Sequence, residues 1–133
     1  MRYAISYVSS ARNDLPVQDV KNILDQANKF NKLQGLTGIL LYNDKNFFQL
    51  IEGEKQIVLD LFERITLDPR HHNIIQFLEK PVSRPPFDGY LTDFITDNNK
   101  YDPEKIAKYL HYIEVLNPES EKALKRVIEL MMV

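Results

Sequence analysis

Phe47-Phe-Gln-Leu-Ile51 is apolar at nearly every position, and it follows directly on Asn43-Asp-Lys-Asn46, four residues that favour turns and tolerate left-handed backbone. Successive side chains of a strand point to opposite faces, so a strand apolar on both must be covered on both and belongs in the middle of its sheet. The stretch from Leu36 to Tyr42 ahead of the turn is strand-like too, and the pair reads as a hairpin running to Glu52. Something has to pack on each side of it.

Two amphipathic segments can serve. Val17, Val20, Leu24 and Ala27 recur at steps of three and four and predict a helix from Pro16 to Phe30, with Asp14 and Pro16 suited to its start and Gly35 to its end. Ile57, Leu61 and Ile65, with Val58 and Phe62 beside them, predict a second from Glu54 to Leu67, stopped by Asp68-Pro69. Arg2 to Val8 reads as a first strand, with Ser9 to Leu15 as a loop after it. Asn73 to Glu79 and Gly89 to Thr96 read as two further strands, separated by Lys80-Pro-Val-Ser-Arg-Pro-Pro-Phe87. The order β-α-β-β-α-β-β is an α+β, ferredoxin-like arrangement with one added strand, and it puts both long helices on one face. Asp102-Pro-Glu104 and Asn117-Pro-Glu119 suit the starts of two short C-terminal helices, expected on the other face or against a partner. The expected division is a core over 1–97 and a helical extension over 98–133.

Composition narrows the chemistry. A net charge of -2 gives no basic footprint for nucleic acid. With no cysteine, disulfides, thiolate metal sites and covalent flavin–thiol adducts are excluded. The apolar runs are strand-sized, so no membrane span or signal segment is expected, and the expected compartment is the cytoplasm. His71 and His72 are adjacent and lack the i, i+4 spacing of a helical metal site, so no metal is assigned.

Three polar residues stand where the periodicity asks for apolar ones. Helical phase puts Asn31 on the stripe of Val20, Leu24 and Ala27. Strand alternation puts Gln49 with Phe47 and Ile51, and Tyr7 with Ile5 and Tyr3. An unpaired amide in a core costs ~1 to 3 kcal/mol, so Tyr7, Gln49 and a planar polar ligand would satisfy one another. Each residue also has an ordinary structural alternative: Tyr7 as a core tyrosine, Gln49 as a strand-end polar residue, Asn31 as a helix C-cap.

The sequence resembles the BLUF family, sensors of blue light using flavin adenine dinucleotide, over residues 2 to 97. The resemblance is carried by Tyr7-Val-Ser-Ser-Ala11, Asn31, Leu36-Thr-Gly38, Phe47-Phe-Gln-Leu-Ile-Glu-Gly53 and Asp68-Pro-Arg-His71, specific together through their order and spacing. It implies a noncovalently bound flavin between the two long helices, FAD with FMN or riboflavin as smaller alternatives. It implies Tyr7 as electron donor and Gln49 as the amide between tyrosine and flavin, left rotated or tautomerised after light. Asn31 would bond the flavin ring, and Arg70 and His71 would lie near the cofactor; a positively charged helix C-terminus is the plain alternative for that pair.

The chain departs from the family on its fifth strand, where Tyr90 and Thr92 stand for the usual Trp and Met. Both are candidate signal relays, Thr92 as a hydrogen-bond partner of Gln49 and Tyr90 as a second electron donor. The expectation is a photoreceptor with no turnover reaction, passing its signal to a partner protein or through a homo-oligomer. The alternative is a flavin-free interaction module of the same fold. An acylphosphatase-like hydrolase lacks a Gly-rich cradle or acid/base set, and an RNA-binding sheet lacks basic surroundings.

Overall fold

The computed structural model describes residues 2–82 and 90–94 and the isolated positions 104, 107 and 126. The elements run β1 (Arg2–Ala11), α1 (Val17–Leu33), β2 (Thr37–Asn43), β3 (Asn46–Glu54), α2 (Lys55–Leu67), β4 (His71–Val82) and β5 (Tyr90–Phe94). They form one five-stranded sheet in the order β4-β1-β3-β2-β5. β3 pairs antiparallel with both β1 and β2, β4 pairs antiparallel with β1, and β5 adds to β2 in parallel. This is the expected split βαβ arrangement with its added strand.

The hairpin turns as its composition demands. Asp44 and Lys45 both adopt positive φ, 49° and 66°, which matches the twist of a two-residue turn to that of its strands. α2 opens where Glu54 accepts a hydrogen bond from the Ile57 amide at 3.1 Å, so Glu54 caps the helix instead of starting it. α1 runs three residues beyond Phe30, to Leu33, because the chain turns only at Gly35, whose φ is 69°. Asn31 is therefore inside the helix, and the C-cap alternative for it falls.

β1 is longer than expected. Ser9 to Ala11, read as loop, continue the strand because Ser10 and Ala11 pair with His72 and His71 of β4 across a register shift. The same pairing starts β4 at His71, so Arg70-His71 is not a solvated helix end. β4 also runs on through Pro81 to Val82, which an edge strand tolerates because its outer N–H groups need no ladder partner.

Both long helices lie on one face, α1 over β2 and β5, α2 over β1, β3 and β4. Between them and the sheet sit Ile5, Val20, Leu24, Leu40, Phe47, Ile51 and Val58. On the other face Ala4, Ser6, Phe48, Leu50 and Glu52 are each 0% exposed, so β3 is covered on both sides as its composition requires. The two C-terminal helices expected to cover that face lie outside the described residues, as does the division at residue 97.

Glu52 is a fully buried charge on that second face. Arg2 holds it through Nε at 2.5 Å and Nη2 at 2.7 Å, and the Thr37 hydroxyl donates to it at 2.7 Å. A buried carboxylate is tolerable only with this kind of multiple bonding, and its hydrogen bonds raise the pKa of Arg2 against the opposing effect of partial burial.

Candidate functional site

Tyr7 and Gln49 are directly opposed in the β1/β3 ladder, so their side chains rise from neighbouring strands on the helix-covered face. The Tyr7 hydroxyl donates to Gln49 Oε1, and both residues are buried, 3% exposed. Asn31 reaches the same space from α1. It is 1% exposed, and neither its Nδ2 nor its Oδ1 has a hydrogen-bond partner. The three residues singled out by broken periodicity thus share one place.

That place is a cleft of about 280 Å³ between α1, α2 and the sheet. Its walls are Ile23, Ala27, Leu40, Phe47, Leu61 and Ile65, with Tyr7, Asn31 and Gln49 as polar points. Apolar walls with a few convergent polar groups are the usual form of a small-molecule site, and the volume is near the lower end of the ~300 to 1,000 Å³ common for such pockets.

His71 also lines the cleft and is held rigidly: Nδ1 is 2.7 Å from Ser9 Oγ and Nε2 is 2.6 Å from the Ile65 carbonyl oxygen. A carbonyl oxygen only accepts, so Nε2 carries the proton, and in the neutral ring Nδ1 accepts from Ser9. Its ring lies 6.3 Å from that of Tyr7, which also packs against Phe62 at 5.6 Å. Arg70 lines the rim, where Nε and Nη2 bond both carboxylate oxygens of Asp68 at 2.6 to 3.1 Å. Those bonds hold the Asp68 carboxyl below the usual carboxylate range, outweighing burial, which acts the other way.

Thr92 and Tyr90 enter through backbone register. Thr92 pairs with Leu40, which pairs with Gln49, which pairs with Tyr7, so the four share one rung across the sheet. Tyr90 pairs with Gly38, one rung pair along from it.

Ser9, Gln26, Phe30, Arg64 and Asp68 belong to the site or its support, and the sequence reading gives none of them a site role, although Ser9 and Asp68 stand inside the motifs quoted above. Arg64 was accessible to the same test as Asn31: Leu61, Arg64, Ile65 and Asp68 fall at helical steps on one stripe, with a charge where an apolar residue is due. Ser9 carried no such signal, because it was read as loop. Among the described residues no group of three or more His, Asp or Glu is placed to hold a metal, and no helix is long and apolar enough to cross a membrane.

Residues 3–91 match the family model described as BLUF, sensors of blue-light using FAD. The chain belongs to the BLUF family. It is thus a blue-light sensor domain of a flavin-binding family. The chain is 40% identical over 78 residues to the blue light- and temperature-regulated antirepressor BluF of Escherichia coli K12, covering 59% of this chain and 19% of that protein. It is 36% identical over 70 residues to a photoactivated adenylate cyclase subunit beta of Euglena gracilis, covering 53% and 8%. The chain therefore spans a fifth or less of these relatives. Among solved structures, BlsA in its photo-activated state matches with a TM-score of 0.69 at 28% identity, covering 98% of this chain and 96% of that one. The BlrP1 BLUF structure matches with a TM-score of 0.76 at 25% identity, covering 98% and 90%.

The lining of the cleft is compatible with a flavin ring. A flat aromatic system suits the apolar walls, and carbonyl and N–H groups along one ring edge are what the two unpartnered atoms of Asn31 need. A consequence follows for stability. Asn31→Leu is expected to stabilise the flavin-free chain by ~1 to 3 kcal/mol, since it removes a buried unpaired amide, and to weaken flavin binding by about tenfold or more. Urea midpoints of the apo-protein and flavin titration of the same variant check the two effects together.

Proposed function

We propose that this chain holds flavin noncovalently as FAD between α1 and α2, and reports blue light by rearranging the hydrogen bond between Tyr7 and Gln49. The observation that carries this reading is the buried Tyr7–Gln49 hydrogen bond on the wall of a cleft that also holds the unpartnered Asn31 amide. Asn31 and Gln49 would engage the ring edge, and Arg70 and His71 lie on the wall beside it. When bound, flavin supplies the absorption of blue light and the oxidising power that follows it.

The residues supply the switch. The phenol proton of Tyr7 already lies on a hydrogen bond to Gln49 Oε1, so loss of an electron from the Tyr7 ring sends that proton to the amide oxygen without any prior rearrangement. Gln49 has an acceptor at Oε1 and two donor hydrogens at Nε2, and Tyr7 can both donate and accept. A half-turn of the amide exchanges its two ends: Nε2 then donates to the phenol oxygen, and Oε1 faces where Nε2 stood. With the electron and the phenol proton restored to Tyr7, a net shift of one proton from Nε2 to Oε1 would instead leave Gln49 as its tautomer, with a related bonding pattern. Either arrangement can keep Tyr7 and Gln49 hydrogen-bonded, so neither is barred by a lost bond, and a return in darkness to the lower one is the expected behaviour of such a pair.

Tyr7→Phe tests this directly. The ring and its packing against Phe62 remain, so flavin stays bound, and the light-induced red shift is lost. A normal shift in Tyr7→Phe would sink the proposed switch.

The sensor has no turnover reaction of its own in this reading; its output goes to a partner protein or effector domain. Its relatives, a light-regulated antirepressor and a photoactivated adenylate cyclase subunit, support an effector of that kind. Thr92 is the proposed first relay, since its strand is joined to Gln49 through Leu40 on one rung. Thr92→Ala is expected to change the lifetime of the light state by several-fold, read from dark-recovery kinetics, and an unchanged lifetime would remove Thr92 from the route. Tyr90 keeps its proposed role as a second electron donor only if Tyr90→Phe alters photoproduct yield.

A further inference from the structure

Two adjacent histidines open β4, and a bulge decides which of them enters the cleft. Val8 pairs with Ile75 and Ser10 with His72, so between these rungs β1 has one residue, Ser9, and β4 has two, Asn73 and Ile74. Asn73 takes up the extra residue at φ 54°, a left-handed conformation that asparagine tolerates. Without the extra residue, the alternation set by the Tyr7–Gln76 rung would bring His72 opposite Ala11, on the face of Tyr7. With it, His71 takes that place and lines the cleft, and His72 is left exposed on the other face.

Once inside, the imidazole has both nitrogens bonded to the protein. Nε2–H donates to the Ile65 carbonyl at 2.6 Å, and the Ser9 hydroxyl donates to Nδ1 at 2.7 Å. What His71 offers its neighbours is therefore the ring itself, 6.3 Å from the ring of Tyr7 and edge-on to that of Phe47 at 6.2 Å. Tyr7 is thus held by Phe62 of α2, by His71 and, at its hydroxyl, by Gln49. The bond to Ile65 ties the imidazole to the end of α2 but lets the ring swing about it. The bond from Ser9 stops that swing. Ser9 stands two residues from Tyr7 on the same strand and is 2% exposed, so solvent does not compete for its hydroxyl.

We propose that Ser9 is a positioning residue of the switch: by donating to His71 Nδ1 it locks the imidazole against the Tyr7 ring and so keeps the phenol aimed at Gln49 Oε1. This rests on the Tyr7–Gln49 reading above and adds to it the group that sets its geometry. Ser9 acts through His71, and His71 acts as a strut, with no hydrogen bond left to give the flavin.

The test compares the flavin-loaded 133-residue chain with its Ser9→Ala and Ser9→Thr variants. In Ser9→Ala flavin stays bound, and the photoproduct yield per absorbed photon falls about threefold or more as the phenol loses its aim, a change within the worth of one hydrogen bond. The nitrogen NMR resonance of His71 Nδ1 moves at the same time toward that of an unbonded imine. Ser9→Thr keeps the hydroxyl on a side chain suited to a strand and restores both. His71→Leu removes the strut outright, so adding Ser9→Ala to it lowers the yield no further. An unchanged yield in Ser9→Ala, with the native chain shifting normally, overturns the positioning role and leaves the Tyr7–Gln49 switch standing. A loss of yield that Ser9→Thr does not restore, or that adds to the loss in His71→Leu, overturns it too, because Ser9 then acts without its hydroxyl or without His71. A native chain that binds flavin and shows no shift overturns the switch and this proposal with it.

Discussion

Gln49→Leu is expected to abolish the light-induced red shift while flavin remains bound. Leucine is close in size to glutamine and sits well on β3 between Phe47 and Ile51, so the cleft keeps its shape. What is lost is the only group in the Tyr7–Gln49 pair with chemically different ends, an acceptor at Oε1 and donors at Nε2. Without it no half-turn or tautomer can present a new hydrogen-bond pattern to the ring. Flavin affinity should fall by no more than about tenfold, the worth of one hydrogen bond. Absorption spectra before and after blue light separate these effects: a full dark flavin spectrum with no difference spectrum is the expected result. A reversible shift of normal size would place the switch elsewhere in the cleft.

Gly38→Ala should be the most damaging small substitution in the sheet. Gly38 has φ 145°, a backbone conformation that side-chain-bearing residues rarely adopt, and a Cβ there would stand 1.8 Å from the Leu50 carbonyl oxygen. That oxygen belongs to the neighbouring strand, and β2 is also tied to β5 at this rung, so neither side can easily yield. A loss of ~4 kcal/mol or more is expected, against a total of about 5 to 15 for a domain of this kind. Gly35→Ala is the control. Gly35 also has positive φ, 69°, but nothing lies within 4 Å of its Cβ position, so only the backbone cost of ~1 kcal/mol remains. Urea midpoints for the two variants at equal flavin load should differ widely, and similar midpoints would show that the close approach to Leu50 relaxes.

The contrast between residues found and residues missed in the sequence has a physical cause. Tyr7, Gln49 and Asn31 were legible because each interrupts a period, two along strands and one along a helix, and a polar interruption facing the core marks something to be bonded. The central place of β3 was legible from its composition, since a strand apolar on both faces can only be central. Ser9 was not, because Ser9 to Ala11 have weak strand preference and are held by long-range pairing, Ser9 with Phe47 of β3 and Ser10 and Ala11 with His72 and His71 of β4. The role of Glu52 was missed for a different reason: its partners Arg2 and Thr37 come from two other strands, and only the register brings them together. Arg64 was overlooked although its helical stripe pointed to it, because a long charged side chain beside an apolar stripe ordinarily reaches out to water.

The most direct measurement is the absorption spectrum of the purified chain in the dark, immediately after blue light, and again after a period of darkness. A flavin spectrum that moves to longer wavelength in the light and returns in the dark is the predicted result, with the flavin released intact on denaturation, as noncovalent binding requires. Bound flavin whose spectrum does not move, in a chain with Tyr7 and Gln49 intact, would contradict the proposed switch.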